Sequence, residues 1–112
     1  MLASDYYYEV DGDMRVEQVT TAQTRLLEAL QRGASVYRPA RRPWGQHHLV
    51  GAVKIKEEGM PLGRVQDVVP DALISRGLLE VTASRAPGGF RLDYFIPQGV
   101  RLIGPYKKAL ES

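Results

Sequence analysis

Apolar residues at helical spacing predict one helix near the start of the chain. They recur on one side of the segment 21–32, at Ala22, Leu26, Leu27 and Leu30. Thr20 stands directly before this segment and Gln23 three residues later, so the two side chains can close a capping box around the first turn. Gly33 suits the left-handed conformation that ends many helices. We therefore expect a helix over 21–32 whose apolar stripe packs in the core.

Alternation of apolar and polar residues predicts two hairpins. Residues 6–10 and 14–19 are rich in β-forming side chains and flank an Asp-Gly pair, which suits a tight turn. Residues 79–85 and 90–96 alternate with a period of two on either side of the glycine-rich turn 86–89. We expect an antiparallel strand pair at each place.

Two further segments have apolar residues at helical spacing. In 62–69 these residues fall on one side of a helix, and Pro70 can open a second helix that ends at Gly77. Two short helices divided at Pro70 and one kinked helix both fit, and we prefer two helices. A last helical segment is predicted over 98–103.

Composition indicates a single globular domain. The chain has 112 residues, of which 44% are hydrophobic and 25% charged. We divide the domain 1–112 into an N-terminal hairpin extension (1–19), a core (20–103) and a tail (104–112). The chain has no cysteine, which excludes disulfides, thiolate zinc sites and cysteine nucleophiles. No apolar run approaches the roughly 20 residues of a membrane span, and the acidic start is unlike a signal peptide, so we expect a cytoplasmic protein with no membrane partner.

Positive charge is concentrated in one stretch. Residues 31–56 contain no acid and six cations: Arg32, Arg38, Arg41, Arg42, Lys54 and Lys56. Within 36–56, two β-rich runs joined by a proline-rich loop predict a basic hairpin. Such a stretch is typical of a surface that binds a polyanion. The alternative is that these cations pair, after folding, with carboxylates of the acidic segments 1–30 and 57–80.

The order of elements resembles the winged helix-turn-helix family of bacterial or phage type. The segments that carry the resemblance are 21–30 as the first helix, 72–80 as the end of a recognition helix, and 90–101 as the second wing strand and its exit. The resemblance covers residues 20–103. It implies an α+β fold, a winged helix-turn-helix with an extra N-terminal hairpin and an enlarged basic hairpin.

The resemblance also implies contacts with duplex DNA. Members of this family lay the recognition helix in the major groove while cations of the wing contact phosphate or the minor groove. By this resemblance Arg76 ends the recognition helix, and Arg85 and Arg91 flank the wing tip. The recognition segment 70–77 departs from the family pattern, because it is short and has only one base and one acid. Contacts with phosphates are therefore expected to contribute more than the reading of bases.

The sequence offers little for catalysis or metal binding. His47 and His48 are adjacent, so on a strand they point to opposite faces and cannot chelate one ion together. No nucleophile, base and orienting group fall in a recognisable arrangement, and no glycine-rich phosphate loop is present. Trp44 lies among the arginines, where its indole can stack on a base or anchor the core. We expect a protein that is not an enzyme and has no cofactor and no metal.

These observations support two hypotheses. The first is a DNA-binding regulatory protein that contacts the phosphates of double-stranded DNA through Arg38, Arg41, Arg42, Lys54, Lys56, Arg76, Arg85 and Arg91. The second is a protein-interaction module on the same scaffold, such as a phage or mobile-element inhibitor or adaptor. Its cations would contact an acidic or a nucleic-acid-binding protein surface instead of DNA. Dimers are common in this family, and the N-terminal hairpin or the C-terminal tail could supply a homodimer contact.

Overall fold

Two antiparallel sheets and two short helices form the described part of the chain. A computed structural model describes residues 3–41, 48–49 and 51–105. The elements are β1 (Ala3–Val10), β2 (Asp13–Thr20), α1 (Thr21–Gln31), β3 (Ser35–Arg41), β4 (His48–Leu49), β5 (Val53–Lys56), β6 (Gly63–Val65), α2 (Val69–Ser75), β7 (Glu80–Ala86), β8 (Gly89–Phe95) and β9 (Val100–Pro105).

The smaller sheet joins the two ends of the described chain. Its strand order is β2-β1-β9, and β1 pairs antiparallel with both neighbours. The turn between β1 and β2 consists of Asp11 and Gly12, both with positive φ (51° and 89°), as a tight hairpin turn requires. The backbone N–H of Asp11 donates to the carbonyl oxygen of Gly99 at 2.9 Å, which fixes the start of β9 against this turn.

The larger sheet has β3 at its centre. Its strand order is β6-β5-β3-β8-β7, and β4 also pairs with β3. Val36 of β3 lies opposite Ile55 of β5 on one side and opposite Tyr94 of β8 on the other. The predicted basic hairpin and the predicted hairpin of residues 79–96 are therefore parts of one sheet.

The predicted first helix is confirmed, together with its cap. Thr20 Oγ1 accepts a hydrogen bond from the backbone N–H of Gln23 at 3.2 Å, and the backbone N–H of Thr20 donates to Gln23 Oε1 at 2.9 Å. Gly33 follows the helix with a φ of 91°. The apolar stripe packs in the core, where Leu26 and Leu27 are fully buried. Local signals were sufficient here because each partner in the cap lies within four residues.

The core collects side chains from both helices and from one face of each sheet. Its fully buried members include Tyr6, Val19, Leu26, Leu27, Val53, Leu73, Leu78 and Leu79. Pro70 stands in the first turn of α2, where its missing N–H costs no helical hydrogen bond. Helix α2 ends at Ser75 and is only seven residues long.

The winged helix-turn-helix prediction is wrong. The predicted helix over 62–69 is absent, because residues 62–68 contain strand β6 and a turn, and Val69 is already the first residue of α2. Residues 98–103 are not a helix either, because they lead into and form most of strand β9. The described residues therefore contain two helices, without the third that a winged helix needs. The hairpin of β7 and β8 is present, but it belongs to the larger sheet and is not a separate wing.

Both errors have the same physical cause. A short apolar run has no periodicity that separates a strand from a buried helix, and a β-branched residue such as Val65 fits a pleated surface better than a helix. Val65 is buried opposite Val53 of β5, whereas Leu62 and Val68 remain exposed. Strand β9 depends on pairing with β1, which lies about ninety residues earlier in the sequence. No local pattern reveals that partner.

Tyr6 introduces an unusual polar group into the core. Its side chain is fully buried, and its hydroxyl has no hydrogen-bond partner among the described residues. Burial raises the pKa of Tyr6 to about 12, and the negative charge of Glu28 acts in the same direction. The folded protein therefore favours the neutral phenol.

We expect the substitution Tyr6→Phe to be neutral or stabilising by about 1 kcal/mol at pH 7, since it removes a buried hydroxyl without a partner. Between pH 10 and about 12 the unfolded tyrosine loses its proton while the folded one keeps it, so the free energy of unfolding falls with pH. Over this pH range the free energy of unfolding should fall less for the variant than for the native chain. Urea unfolding at several pH values measures both effects, and a loss above about 1 kcal/mol at pH 7 would contradict the expectation.

Candidate nucleic-acid interface

The larger sheet has one apolar face and one polar face. The side chains of Val36, Val53, Ile55, Val65 and Tyr94 point into the core. Successive residues of a strand point to opposite faces, so the registers place a second set of side chains on the other side. We call this side the open face and define it by Tyr37, Lys54, Lys56, Arg64, Thr82, Ser84, Arg91, Asp93 and Phe95. None of these residues belongs to the buried core cluster.

Three cations stand next to one another on the open face. Lys54 of β5 lies directly opposite Arg64 of β6, and Lys56 follows two residues later on the same side of β5. Lys56 and Arg64 are exposed and Lys54 is half-buried. None of the three forms an ion pair with a carboxylate of the described residues. Like charges placed opposite each other in a sheet are destabilising, so this cluster favours an anion from outside.

An arginine and a tyrosine form a stacked pair beside these cations. The guanidinium of Arg91 lies 5.0 Å from the centroid of the Tyr37 ring, within the range of a cation–π contact. Arg91 Nε is also 2.8 Å from Asp93 Oδ1, and the Ser84 hydroxyl donates to Asp93 Oδ2 at 2.9 Å. These contacts hold the guanidinium plane over the ring. Tyr37 lies directly opposite Lys54, so the stacked pair and the three cations form one continuous patch on the open face.

Arg38 lies on the core face and not on the open face. Only 12% of its side chain is exposed, and its Nη2 donates to Asp67 Oδ2 at 2.9 Å. The buried Arg38 Nε has no partner among the described residues. Burial raises the pKa of the neighbouring Tyr94, although the charge of Arg38 acts to lower it. Arg38 therefore links β3 to the turn before α2, and it is poorly placed to contact a phosphate.

The remaining predicted residues lie apart. Arg76 is exposed at the end of α2, where its Nη1 donates to the carbonyl oxygen of Gln18 and its Nε is 3.9 Å from Glu17. Arg85 is exposed on β7, and the strand register places it on the side opposite the open face. The structure thus brings Lys54, Lys56 and Arg91 together, but not Arg38, Arg76 or Arg85.

Part of the basic loop lies outside the described residues. The sequence predictions for Arg42, Trp44 and His47 fall in this part of the chain. Arg41 is the last residue of β3, and its backbone pairs with Gly89 and with His48.

Sequence reasoning missed Arg64 and Tyr37. The position of Arg64 fitted the polar side of the helix predicted over 62–69, so it was not grouped with Lys54. Its place on the open face depends on the register of β6 against β5. Tyr37 lay in a run assigned to a strand, and only the pairing of β3 with β8 brings it under Arg91. The only local signal for Arg64 is that a polar residue stands beside the apolar Val65, and a pattern of this length is too short to specify a strand.

Acidic segments neutralise several other cations. Arg32 donates to Glu57 at 2.9 Å, and these hydrogen bonds lower the pKa of the Glu57 carboxyl. Arg101 donates to Glu9 at 2.7 Å with the same effect on the pKa of Glu9. The alternative of internal charge pairing therefore holds for part of the chain. It does not extend to the three cations of the open face within the described residues.

Among the described residues, no group of three metal-binding side chains could hold an ion. In the same residues, neither helix has the length and apolar character needed to cross a membrane. Comparisons with models of known protein families, with curated proteins and with solved structures found no match. The function is therefore inferred from the geometry of the open face.

We expect Arg38 to support the fold. Arg38→Ala should lower the free energy of unfolding by about 1–3 kcal/mol, because it removes a charged hydrogen bond and leaves a gap beside the core. Lys54→Ala should change it by less than about 0.5 kcal/mol, since Lys54 has no ion pair among the described residues. Denaturant unfolding compares the two variants, and equal effects would contradict this assignment.

Proposed function

We propose that this protein binds nucleic acid through the open face of the larger sheet. The observation that carries the proposal is the cluster of Lys54, Lys56 and Arg64, which have no acidic partner within the described residues. Phosphates supply the missing negative charges, and the release of their counterions favours binding. The cluster replaces the recognition helix and wing as the DNA-contacting surface.

The shape of the open face favours a single strand over the groove of a duplex. Adjacent strands lie about 4.8 Å apart, so the four strands from β6 to β8 span about 14 Å before side chains are added. The major groove of B-DNA is about 12 Å wide and admits a helix or a two-stranded ribbon. A flat sheet of four strands does not enter it. An unpaired strand, in contrast, can lie across such a sheet with its bases against the side chains.

The stacked pair supplies a contact for a base. Single-stranded nucleic acid is commonly bound by cations that follow the phosphates and by aromatic or guanidinium planes on which bases stack. Tyr37 and Arg91 offer such planes next to Lys54. Phe95, with 38% of its surface exposed, adds a second aromatic ring on the same face.

Only some of the other predicted contact residues keep their place in the proposal, and Arg85, on the side opposite the open face, is not among them. Arg41 and Arg42 remain predicted phosphate contacts, and Arg38 and Arg76 are assigned structural contacts instead. The proposed binding needs no cofactor and no catalytic step. The non-enzymatic character and the cytoplasmic location stay predictions.

Reversing charges on the open face should weaken binding. We expect Lys54→Glu together with Arg64→Glu to weaken the affinity for a labelled oligo(dT) by at least about tenfold, because two phosphate contacts become repulsive. The matched control is Arg15→Glu together with Arg85→Glu, which reverses two exposed cations that have no ion pair among the described residues and lie away from the open face. Fluorescence anisotropy at low and high salt measures the affinities.

The salt dependence tests the number of contacts. Phosphate contacts by Lys54, Lys56 and Arg64 with a single strand predict a slope of log affinity against log salt of about −2 for the native chain, and further contacts by Arg41 and Arg42 would steepen this slope to about −3.5. The open-face variant should have a slope closer to zero. Equal loss of affinity in both double variants, or native binding that does not change with salt, would contradict the proposal.

Stacking makes a separate prediction. Tyr37→Ala should weaken oligo(dT) binding by about 1–3 kcal/mol, while Tyr37→Phe should bind like the native chain, because the ring and not the hydroxyl supports stacking. The same anisotropy titration compares the variants, and circular dichroism checks that both are folded. Tighter binding to a duplex than to oligo(dT) would argue against single strands.

The second candidate is an interaction module for an acidic protein surface. It is favoured by the carboxylates on the same side of the sheet, Asp93 on β8 and Glu80 on β7, which confine the unpaired positive charge to β5 and β6. Carboxylates repel a phosphate chain, but they can be matched by cations of a protein partner. This candidate predicts that the native chain fails to retain oligo(dT) even at low salt.

A further inference from the structure

Four strands stand at the ends of the strand orders in the described residues: β2 and β9 in the smaller sheet, and β6 and β7 in the larger one. The two-residue strand β4, which pairs with β3 alone, leaves one further, very short edge. An edge strand presents unpaired N–H and C=O groups that can pair with another strand, so proteins usually protect such edges.

A side chain covers one backbone carbonyl on each edge of the smaller sheet. Arg76 donates to the carbonyl oxygen of Gln18 in β2, and Gln31 Nε2 donates to the carbonyl oxygen of Leu102 in β9 at 3.2 Å. In the larger sheet, β6 is only three residues long, which offers little backbone for pairing. Short edges and covered carbonyls are both recognised ways of preventing association.

Within the part of the chain that the structure describes, strand β7 has neither protection. It is seven residues long, contains no proline, and is exposed from Glu80 to Arg85. Its one side-chain hydrogen bond among those described, from Ser84 to Asp93, is directed at the neighbouring strand β8 and leaves the outer backbone uncovered. Residues 80–86 therefore form a long, open edge.

We propose that β7 pairs antiparallel with β7 of a second copy of this chain, so that the two larger sheets become one continuous sheet. This proposal does not depend on the proposed binding of nucleic acid. It follows from the contrast between β7 and the other edges, and from the side chains that such a pairing would bring together.

The sequence of β7 is complementary to itself. When Ala83 lies opposite Ala83 of the second copy, Thr82 lies opposite Ser84, and Val81 lies opposite Arg85. Small side chains meet at the centre, and each pair of polar residues can form a hydrogen bond. The aliphatic stem of Arg85 can cover Val81, which is 42% exposed in the single chain. No two like charges stand opposite each other.

The pairing also has a geometric consequence. The two-fold axis of an antiparallel pair of this kind stands perpendicular to the sheet, so both open faces lie on the same side of the dimer. The cations Lys54, Lys56 and Arg64 of the two copies would then stand near the two ends of one continuous surface, because β3, β8 and β7 of each copy lie between them. An edge that is unprotected in the single chain is paired in the dimer, which removes the aggregation risk of a seven-residue exposed strand.

The molecular mass of the native chain is the first test. Sedimentation equilibrium at tens of micromolar should give about 25 kDa, twice the 12.5 kDa of one chain. A mass of 12.5 kDa at every concentration would overturn the proposal. The affinity for oligo(dT) is a separate measurement, so failure here leaves the proposed function untouched.

A single introduced cysteine tests the register, because the native chain has none. In Ala83→Cys, the two Cα atoms would lie about 5 Å apart across the antiparallel pair, within the range for a disulfide. In the control Arg85→Cys, the two cysteines would be four residues out of register, about 13 Å apart. Mild oxidation should therefore link the first variant into a dimer and leave the second unlinked. Equal linking of both variants, or no linking of Ala83→Cys, would overturn the proposed pairing.

Discussion

The central position of β3 in the larger sheet is the constraint on which the rest of the structure depends. Because β3 pairs with β5 on one side and β8 on the other, two segments that are separate hairpins in the sequence share one plane. Alternation along these strands then sends Val36, Ile55 and Tyr94 into the core and leaves Tyr37, Lys54 and Arg91 on the opposite side. The core and the candidate interface therefore lie on opposite faces of the same sheet, and both depend on the same strand pairing.

This arrangement has an electrostatic cost. Several cations are neutralised by carboxylates, as in the pairs Arg32–Glu57, Arg38–Asp67 and Arg101–Glu9. Lys54 and Arg64 face each other across β5 and β6 without such a partner among the described residues. A cluster of like charges weakens the folded state unless an anion offsets it. A bound phosphate chain would offset it, and it would do so at the place where a base can also stack on Tyr37 and Arg91.

The sequence predicted the elements whose partners are close along the chain. Helix α1 was predicted correctly because Thr20, Gln23 and Gly33 report its ends locally. The hairpins around residues 11–12 and 87–88 were predicted correctly for the same reason. Strands β6 and β9 were missed, because each is short and is defined by a partner strand elsewhere in the chain.

The candidate site shows the same division. Lys54 and Lys56 could be assigned to one face of a strand from alternation alone, and the structure places them on the open face. Arg38 belongs to the same basic stretch. Side chains alternate between the two faces along β3, and the register of this strand turns Arg38 toward the core. Arg64 and Tyr37 enter the site only through register between strands. Charge counting along the sequence contains no information about these registers.

The most direct measurement is an NMR titration of the isotope-labelled chain with oligo(dT), followed through the backbone amides. The account predicts that the largest chemical-shift changes fall on β3, β5, β6 and β8, around Tyr37, Lys54, Arg64 and Arg91. Changes concentrated on α2 and the turn after it (residues 69–79), or no changes at low salt, would contradict an interface on the open face of the sheet.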